Sequence, residues 1–286
     1  MAYIAEINRA NPSCFLFLID QSSSMADPFG GAGSGRSKAQ GVADAINRLL
    51  QNLILKCTKS EEVPWDYYDI GVIGYRQPKE DEIRVGSAFA STLAERDLVP
   101  ISQVATNHLR IEPRTRKVDD DAGGTRDETF KFAVWVDPIT NGGTPMCEAL
   151  RYAYRILEGW VGIHPNSYPP IVINITDGEA TDGDPLPEGE RIKTLATSDG
   201  NVLFFNCHVS SLARSPMFYP DSEAGLPDQY AQLLFRMSSV LPPGLLAAAQ
   251  AEGGFVVGAQ AHGFVFNAEL VDLIRFLDIG TRSNLR

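Results

Sequence analysis

Two hydrophobic patterns alternate along this chain. Cys14 to Ile19, Tyr67 to Tyr75, Ile171 to Thr176 and Val202 to Cys207 are short runs dominated by apolar residues, with no regular polar alternation. Such runs predict strands of a parallel sheet covered on both faces. Between them, apolar residues recur at helical spacing. Val42, Ala45, Ile46, Leu49, Leu50, Leu53 and Ile54 predict a helix over about 37–56, and Met146, Ala149, Leu150, Ala153, Ile156 and Leu157 a second one ending near Trp160. Thr144 is expected at the cap of that second helix and Pro145 at its first position. Shorter helices are expected near 188–198, 228–238 and 268–277. Phe130 to Val136 alternates loosely and predicts a strand antiparallel to the second at the sheet edge; a strand near 255–257 and an edge strand at 263–266 complete the set.

Strands alternating with helices predict an α/β fold, a Rossmann-like open and mostly parallel sheet with helices on both faces. Residues 1–286 are read as one domain. The stretch of about 76–128, which includes the charged and glycine-rich Arg110 to Arg126, has too few apolar residues for a core of its own and is read as an insertion or elaborated loop. A loop and helix elaboration is expected at about 211–245.

Composition narrows the partners. A formal net charge of −11 speaks against nucleic acid and anionic membranes, both of which require a basic face. No run approaches a transmembrane length and no signal-peptide pattern opens the chain, so a cytoplasmic location is expected. Cys14, Cys57, Cys147 and Cys207 are widely separated within apolar elements and read as reduced core thiols.

The first run ends in Asp20-Gln21-Ser22-Ser23-Ser24. In an extended loop alternate side chains point the same way, which lets Asp20, Ser22 and Ser24 converge while Gln21 and Ser23 face elsewhere. Three hard oxygens on one side of a turn suit a small hard cation, Mg²⁺ or Mn²⁺. This pattern after a buried strand, together with Gly142-Gly143-Thr144-Pro145 and Thr176-Asp177-Gly178, resembles the metal-ion-dependent adhesion site of von Willebrand factor type A domains. The resemblance implies six strands in the order 3-2-1-4-5-6 with one antiparallel edge strand. Strands 1 and 4 would then bring Asp20 and Asp177 to one crevice, with Thr144 beside them. It assigns the metal to Asp20, Ser22, Ser24, Thr144 and Asp177, with Mg²⁺ as the ion and Mn²⁺ or Ca²⁺ as alternatives. Two carboxylates neutralise a divalent ion, the hydroxyls add no charge, and one coordination position stays open for a partner's Asp or Glu.

The family implies a non-catalytic interaction domain of the intracellular bacterial type, in signalling, stress or defence modules. Its implied partners are a MoxR-type ATPase, a protein kinase or a phosphatase. The rival from another class is a Mg²⁺-dependent phosphohydrolase using Asp20 as nucleophile, though Ser22 stands where haloacid-dehalogenase-like sites carry a second Asp. A third reading is a structural subunit with a vestigial site. Gly30 to Ser37 approximates a phosphate-binding loop but has Arg36 in place of Lys and starts too far from the strand. Glu179, Asp182 and Asp184 lack calcium-loop spacing and read as a solvated loop. His208 reads as a hydrogen-bonded core histidine.

Overall fold

A computed structural model describes residues 3–28, 35–58, 63–119, 124–210, 215–252, 257–267 and 275–276. In chain order its elements are β1 (Ser13–Asp20), α1 (Lys38–Cys57), β2 (Tyr68–Lys79), β3 (Glu82–Ser87), β4 (Val99–Pro100), α2 (Ile101–Thr106), β5 (Arg110–Asp119), β6 (Thr125–Val134), α3 (Met146–Ile163), β7 (Ile171–Thr176), α4 (Leu186–Ile192), β8 (Leu203–His208), β9 (Met217–Phe218), α5 (Gln229–Met237), α6 (Pro243–Glu252) and β10 (Phe264–Phe266).

β1 lies inside the sheet, parallel to β2 on one side and to β7 on the other. Its alternate residues feed two separate cores. Phe15, Phe17 and Ile19 pack with Val42, Ile46 and Leu49 of α1, whereas Cys14, Leu16 and Leu18 pack with Met146, Leu150 and Leu157 of α3 and Leu234 of α5. Both faces of the strand are therefore apolar, which is why the run has no polar alternation. The protein is an α/β fold with a mostly parallel sheet covered by helices on both sides.

Among the described residues the sheet has eight strands, in the order β3-β2-β1-β7-β8-β10-β9 with β4 also pairing with β2. The expected six-strand order persists inside it, but the third strand is not the expected one. β2 turns directly into β3, and that strand takes the antiparallel edge place. Residues 125–134 instead pair with β5 in a separate two-stranded sheet, with Phe130 opposite Arg114 and Phe132 opposite Glu112.

At the other side, residues 264–266 are not an edge strand: β10 runs parallel to β8 and carries β9 outside it. Val257 is not in a strand, and most of the helix expected over 268–277 lies outside the described residues. α6 arises within and beyond a stretch read as loop.

One polar side chain ties α1 to the strand-like stretch after β6. The buried Asn47 accepts from the backbone N–H groups of Trp135 (2.8 Å) and Val136 (3.0 Å) and donates to the Val136 carbonyl (2.9 Å). Its amide thereby does the work of a neighbouring strand. All four cysteines are free and buried, in accord with the core-thiol reading.

Candidate metal centre

Asp20 is the last residue of β1 and Asp177 follows the last residue of β7, an adjacent parallel strand. Both carboxylates thus stand at the carboxyl edge of the sheet, where open α/β sheets place ligands. Asp20 is fully buried; its Oδ1 accepts from the Ser22 N–H (2.8 Å) and its Oδ2 from the Thr176 hydroxyl (2.7 Å). Burial pushes its pKa up to about 6, and the negative charge of Asp177 pushes in the same direction. The carboxyl end of the sheet therefore holds negative charge that is costly without a cation.

The route by which the serines converge differs from the expected one. Ser23 to Ala26 form a 3-10 turn, not an extended loop. The turn still brings Ser22 Oγ and Ser24 Oγ to 3.0 Å. Ser23 points away, and its hydroxyl accepts from the Gly142 N–H (2.8 Å) while its own N–H donates to the Gly142 carbonyl (2.8 Å). That pair stitches the Asp20 loop to the loop carrying Thr144. Gly142 has φ +79° with Gln77 against its backbone, a place where any Cβ would collide.

Thr144 is buried, and its N–H donates to the Thr181 hydroxyl (2.9 Å), which joins the second loop to the third. It does not cap α3. Pro145 holds the cap position, and the carboxylate of Asp182 accepts from the N–H groups of Cys147 (3.0 Å) and Glu148 (2.9 Å). Asp182 is thus a helix cap supplied from a distant loop, not a solvated acid.

The sequence reading did not single out Lys38. Its buried ammonium lies 3.4 Å from Asp177 Oδ2, 3.4 Å from the Ser24 carbonyl and 3.6 Å from Asp27 Oδ2. The signal was present: Lys38 shares a helical stripe with Val42, Ala45 and Leu49, so a charge there was bound to enter the sheet's upper edge. Thr176 also had a signal, as it and Asn174 are the polar positions of an otherwise apolar strand.

His208 is a core histidine as read. Its Nε2 lies 2.8 Å from the Asp177 carbonyl, which can only accept, so Nε2 carries the proton; burial lowers the ring's pKa and keeps it neutral. Its ring steadies the Asp177 backbone from below and stacks on Phe266.

Ser24 and Asp177 line a cavity of about 300 Å³, whose other walls include Asp27, Lys38, Glu179 and Asp228, whereas Asp20, Ser22 and Thr144 lie buried. Among the described residues no group of three or more His, Cys, Asp or Glu side chains is placed to hold a metal ion. The candidate set has two carboxylates and three hydroxyls, a donor chemistry that fits a hard cation such as Mg²⁺. Ser37 and Arg36 of the phosphate-loop-like stretch have structural partners: Ser37 caps α1 through the Gln40 N–H and Arg36 pairs with Asp44.

No family model matches this chain, and no curated protein matches it. Among solved structures it is similar to the human COPII-coat protein Sec24c, with 14% identity and a TM-score of 0.36 over 96% of this chain. That alignment covers 32% of the Sec24c chain, and a likeness at this level carries no argument about function. No helix of the described residues is long and apolar enough to cross a membrane.

Proposed function

We propose that this chain is a von Willebrand type A-like module that captures a partner protein through a divalent cation held by Asp20, Ser22, Ser24, Thr144 and Asp177. One observation carries the proposal: three loops far apart in sequence, at 20–24, 142–144 and 176–182, are bonded to one another beyond adjacent strand ends, around a buried carboxylate that burial and a second carboxylate leave short of positive charge. A bound divalent cation supplies an electrophilic position that accepts a carboxylate oxygen from outside. Mg²⁺ suits the hydroxyl-rich set, with Mn²⁺ or Ca²⁺ as substitutes.

The protein's own residues set the terms of capture. Ser22 N–H and Thr176 orient Asp20, His208 fixes the Asp177 backbone, and Lys38 offsets part of the negative charge. Asp27, Glu179 and Asp228 at the cavity repel an incoming acid, so an acidic guest depends on the cation. The implied partners are a MoxR-type ATPase, a protein kinase or a phosphatase of a bacterial cytoplasm, presenting an Asp or Glu. The nucleophile reading is disfavoured because Ser22 stands where such phosphohydrolase sites carry a second Asp.

The test is capture of partners by the immobilised chain with Mg²⁺ or with EDTA. Capture is expected with Mg²⁺ only, and Thr144→Ala is expected to weaken it roughly tenfold with little change in unfolding midpoint. Capture that ignores EDTA and Thr144→Ala would leave the site vestigial. Steady hydrolysis of a generic phosphatase substrate, lost in Asp20→Ala, would favour the enzyme instead.

A further inference from the structure

A second cavity, of about 480 Å³, lies between α1 with its preceding residues and the β5–β6 hairpin, and Arg36, Arg48, Arg114, Arg116, Phe130 and Phe132 line it. In a chain of net charge −11 this is a marked local reversal. Arg114 and Arg116 project from alternate positions of β5, hence to the same face, and β6 places Phe130 and Phe132 beside them in register. The Arg114 guanidinium lies 3.6 Å from the centre of the Phe132 ring, and that of Arg116 lies 5.4 Å from Phe130.

The guanidiniums are held in place. The nearly buried carboxylate of Asp44 bridges Arg36 (3.3 Å) and Arg114 (2.9 Å), and Glu128 holds Arg116. Arg48 stands exposed on α1 at the same cavity. Four guanidiniums thus meet three carboxylates, Asp44 lining the space and Glu112 and Glu128 pairing with Arg114 and Arg116, which leaves positive charge in excess and, on Arg48 and Arg116, N–H donors beyond those the ion pairs use. The surplus is of donors and positive charge, pre-ordered by ion pairs and ring stacking, with a phenyl wall at one side.

We propose that this cavity binds a phosphate monoester, with the phosphoryl oxygens on Arg48, Arg116 and Arg36 and the organic part against Phe130. A phosphate dianion meets the surplus better than a carboxylate, since it brings nearly twice the charge and a third strong acceptor. The acidic remainder of the surface disfavours long polyanions, which makes a single phosphate the fitting unit.

The probe is phenyl phosphate, titrated calorimetrically into the full chain at low salt, with phenyl sulfate and phenylacetate as monoanionic controls. Saturable binding is expected for phenyl phosphate, roughly tenfold tighter than for either control, and weakened roughly tenfold in Arg48→Ala and Arg116→Ala. Arg116→Lys keeps the charge but not the fork and is expected to fall between. Asp20→Ala should bind phenyl phosphate as the parent does. Two further arms distinguish the natural source: a short phosphoserine peptide that binds more tightly than AMP marks a phosphoprotein, and the reverse order marks a nucleotide. No saturable binding of any phosphate, or binding unchanged in both alanine variants with their unfolding midpoints preserved, overturns the proposal.

Discussion

Asp20 is the residue whose chemistry is most exposed to experiment because its environment opposes its own charge. Its pKa rises from 3.8 to about 6, first through burial and then through repulsion by Asp177. A carboxyl group that binds its proton more tightly in the folded state favours folding when protonated. That contribution is full below about pH 3.8 and is lost as the pH rises through about 6. The metal-free protein should therefore lose on the order of 3 kcal/mol from this group between acid and neutral pH. Asp20→Asn removes the charge, keeps an acceptor for the Ser22 N–H and turns an amide donor toward the Thr176 hydroxyl, which can accept it, so it should stabilise the metal-free protein at pH 7 and flatten its stability between pH 4 and 6, as read from urea unfolding midpoints. An unchanged profile would mean that Asp20 already has a countercharge. Lys38 is a buried cation at the same edge of the sheet, but its ammonium lies on Asp177. Lys38→Met should leave the two carboxylates less compensated, tighten Mg²⁺ binding by roughly tenfold, and enlarge the rise in melting temperature on adding Mg²⁺. Looser Mg²⁺ binding in that variant would show that Lys38 orders the ligands and does not compete with the ion.

Among the elements, the most informative contact is the one α1 makes through Asn47. A single amide serves three backbone groups of residues 135–136, all buried. Asn47→Ala should cost about 2–4 kcal/mol, because it leaves those groups unsatisfied and also opens a small cavity. Denaturant unfolding followed by Trp135 fluorescence would measure it, and a cost below about 1 kcal/mol would mean that water replaces the amide. Sequence alone revealed the elements that bury both faces and missed those whose place depends on a partner. Ile171 to Thr176 could be read because every residue but Asn174 and Thr176 is aliphatic. β3 and β6 could not be told apart in that way, since Glu82 to Ser87 and Thr125 to Val134 both mix exposed polar and apolar positions. Which of them reaches the edge of β2 is settled by the short hairpin at 79–82, a matter of chain closure and not of pattern. α6 escaped for another reason. Pro242-Pro243-Gly244 reads as a loop, and the following Leu245 to Ala251 has no polar face to set a period. At the site, Asp20, Ser22, Ser24, Thr144 and Asp177 were legible as motifs, whereas Lys38, Thr176 and Asp182 act through contacts that no spacing shows.

At the scale of the whole molecule, the chain divides its surface between two polar centres of opposite sign. The carboxyl edge of the sheet gathers Asp20, Asp177 and the acids around them, and the space between α1 and the β5–β6 hairpin gathers arginines. Their physical dependence on the sheet differs. The first centre is made of loops bonded to β1, β2 and β7, so it exists only while the sheet does. The second leans on a hairpin whose residues are mostly exposed through β5 and the first half of β6, with Phe132 and Val134 buried at its base. Because Thr115 pairs with Thr129, the hairpin can be shortened in register by replacing residues 116–128 with Asn-Gly, a pair suited to a two-residue turn. Phe132, Val134 and the Asn47 contacts remain, so the melting temperature should fall by no more than about 3 °C, the order of shift that roughly 1 kcal/mol produces in a large domain. Mg²⁺-dependent capture should persist, while phenyl phosphate binding should weaken by roughly tenfold or more, as in Arg116→Ala. Cooperative unfolding followed by circular dichroism, together with the two binding assays on one preparation, checks all three expectations. Loss of the cooperative transition would instead make the hairpin part of the sheet's own foundation, through α1, and the two centres would then stand or fall together.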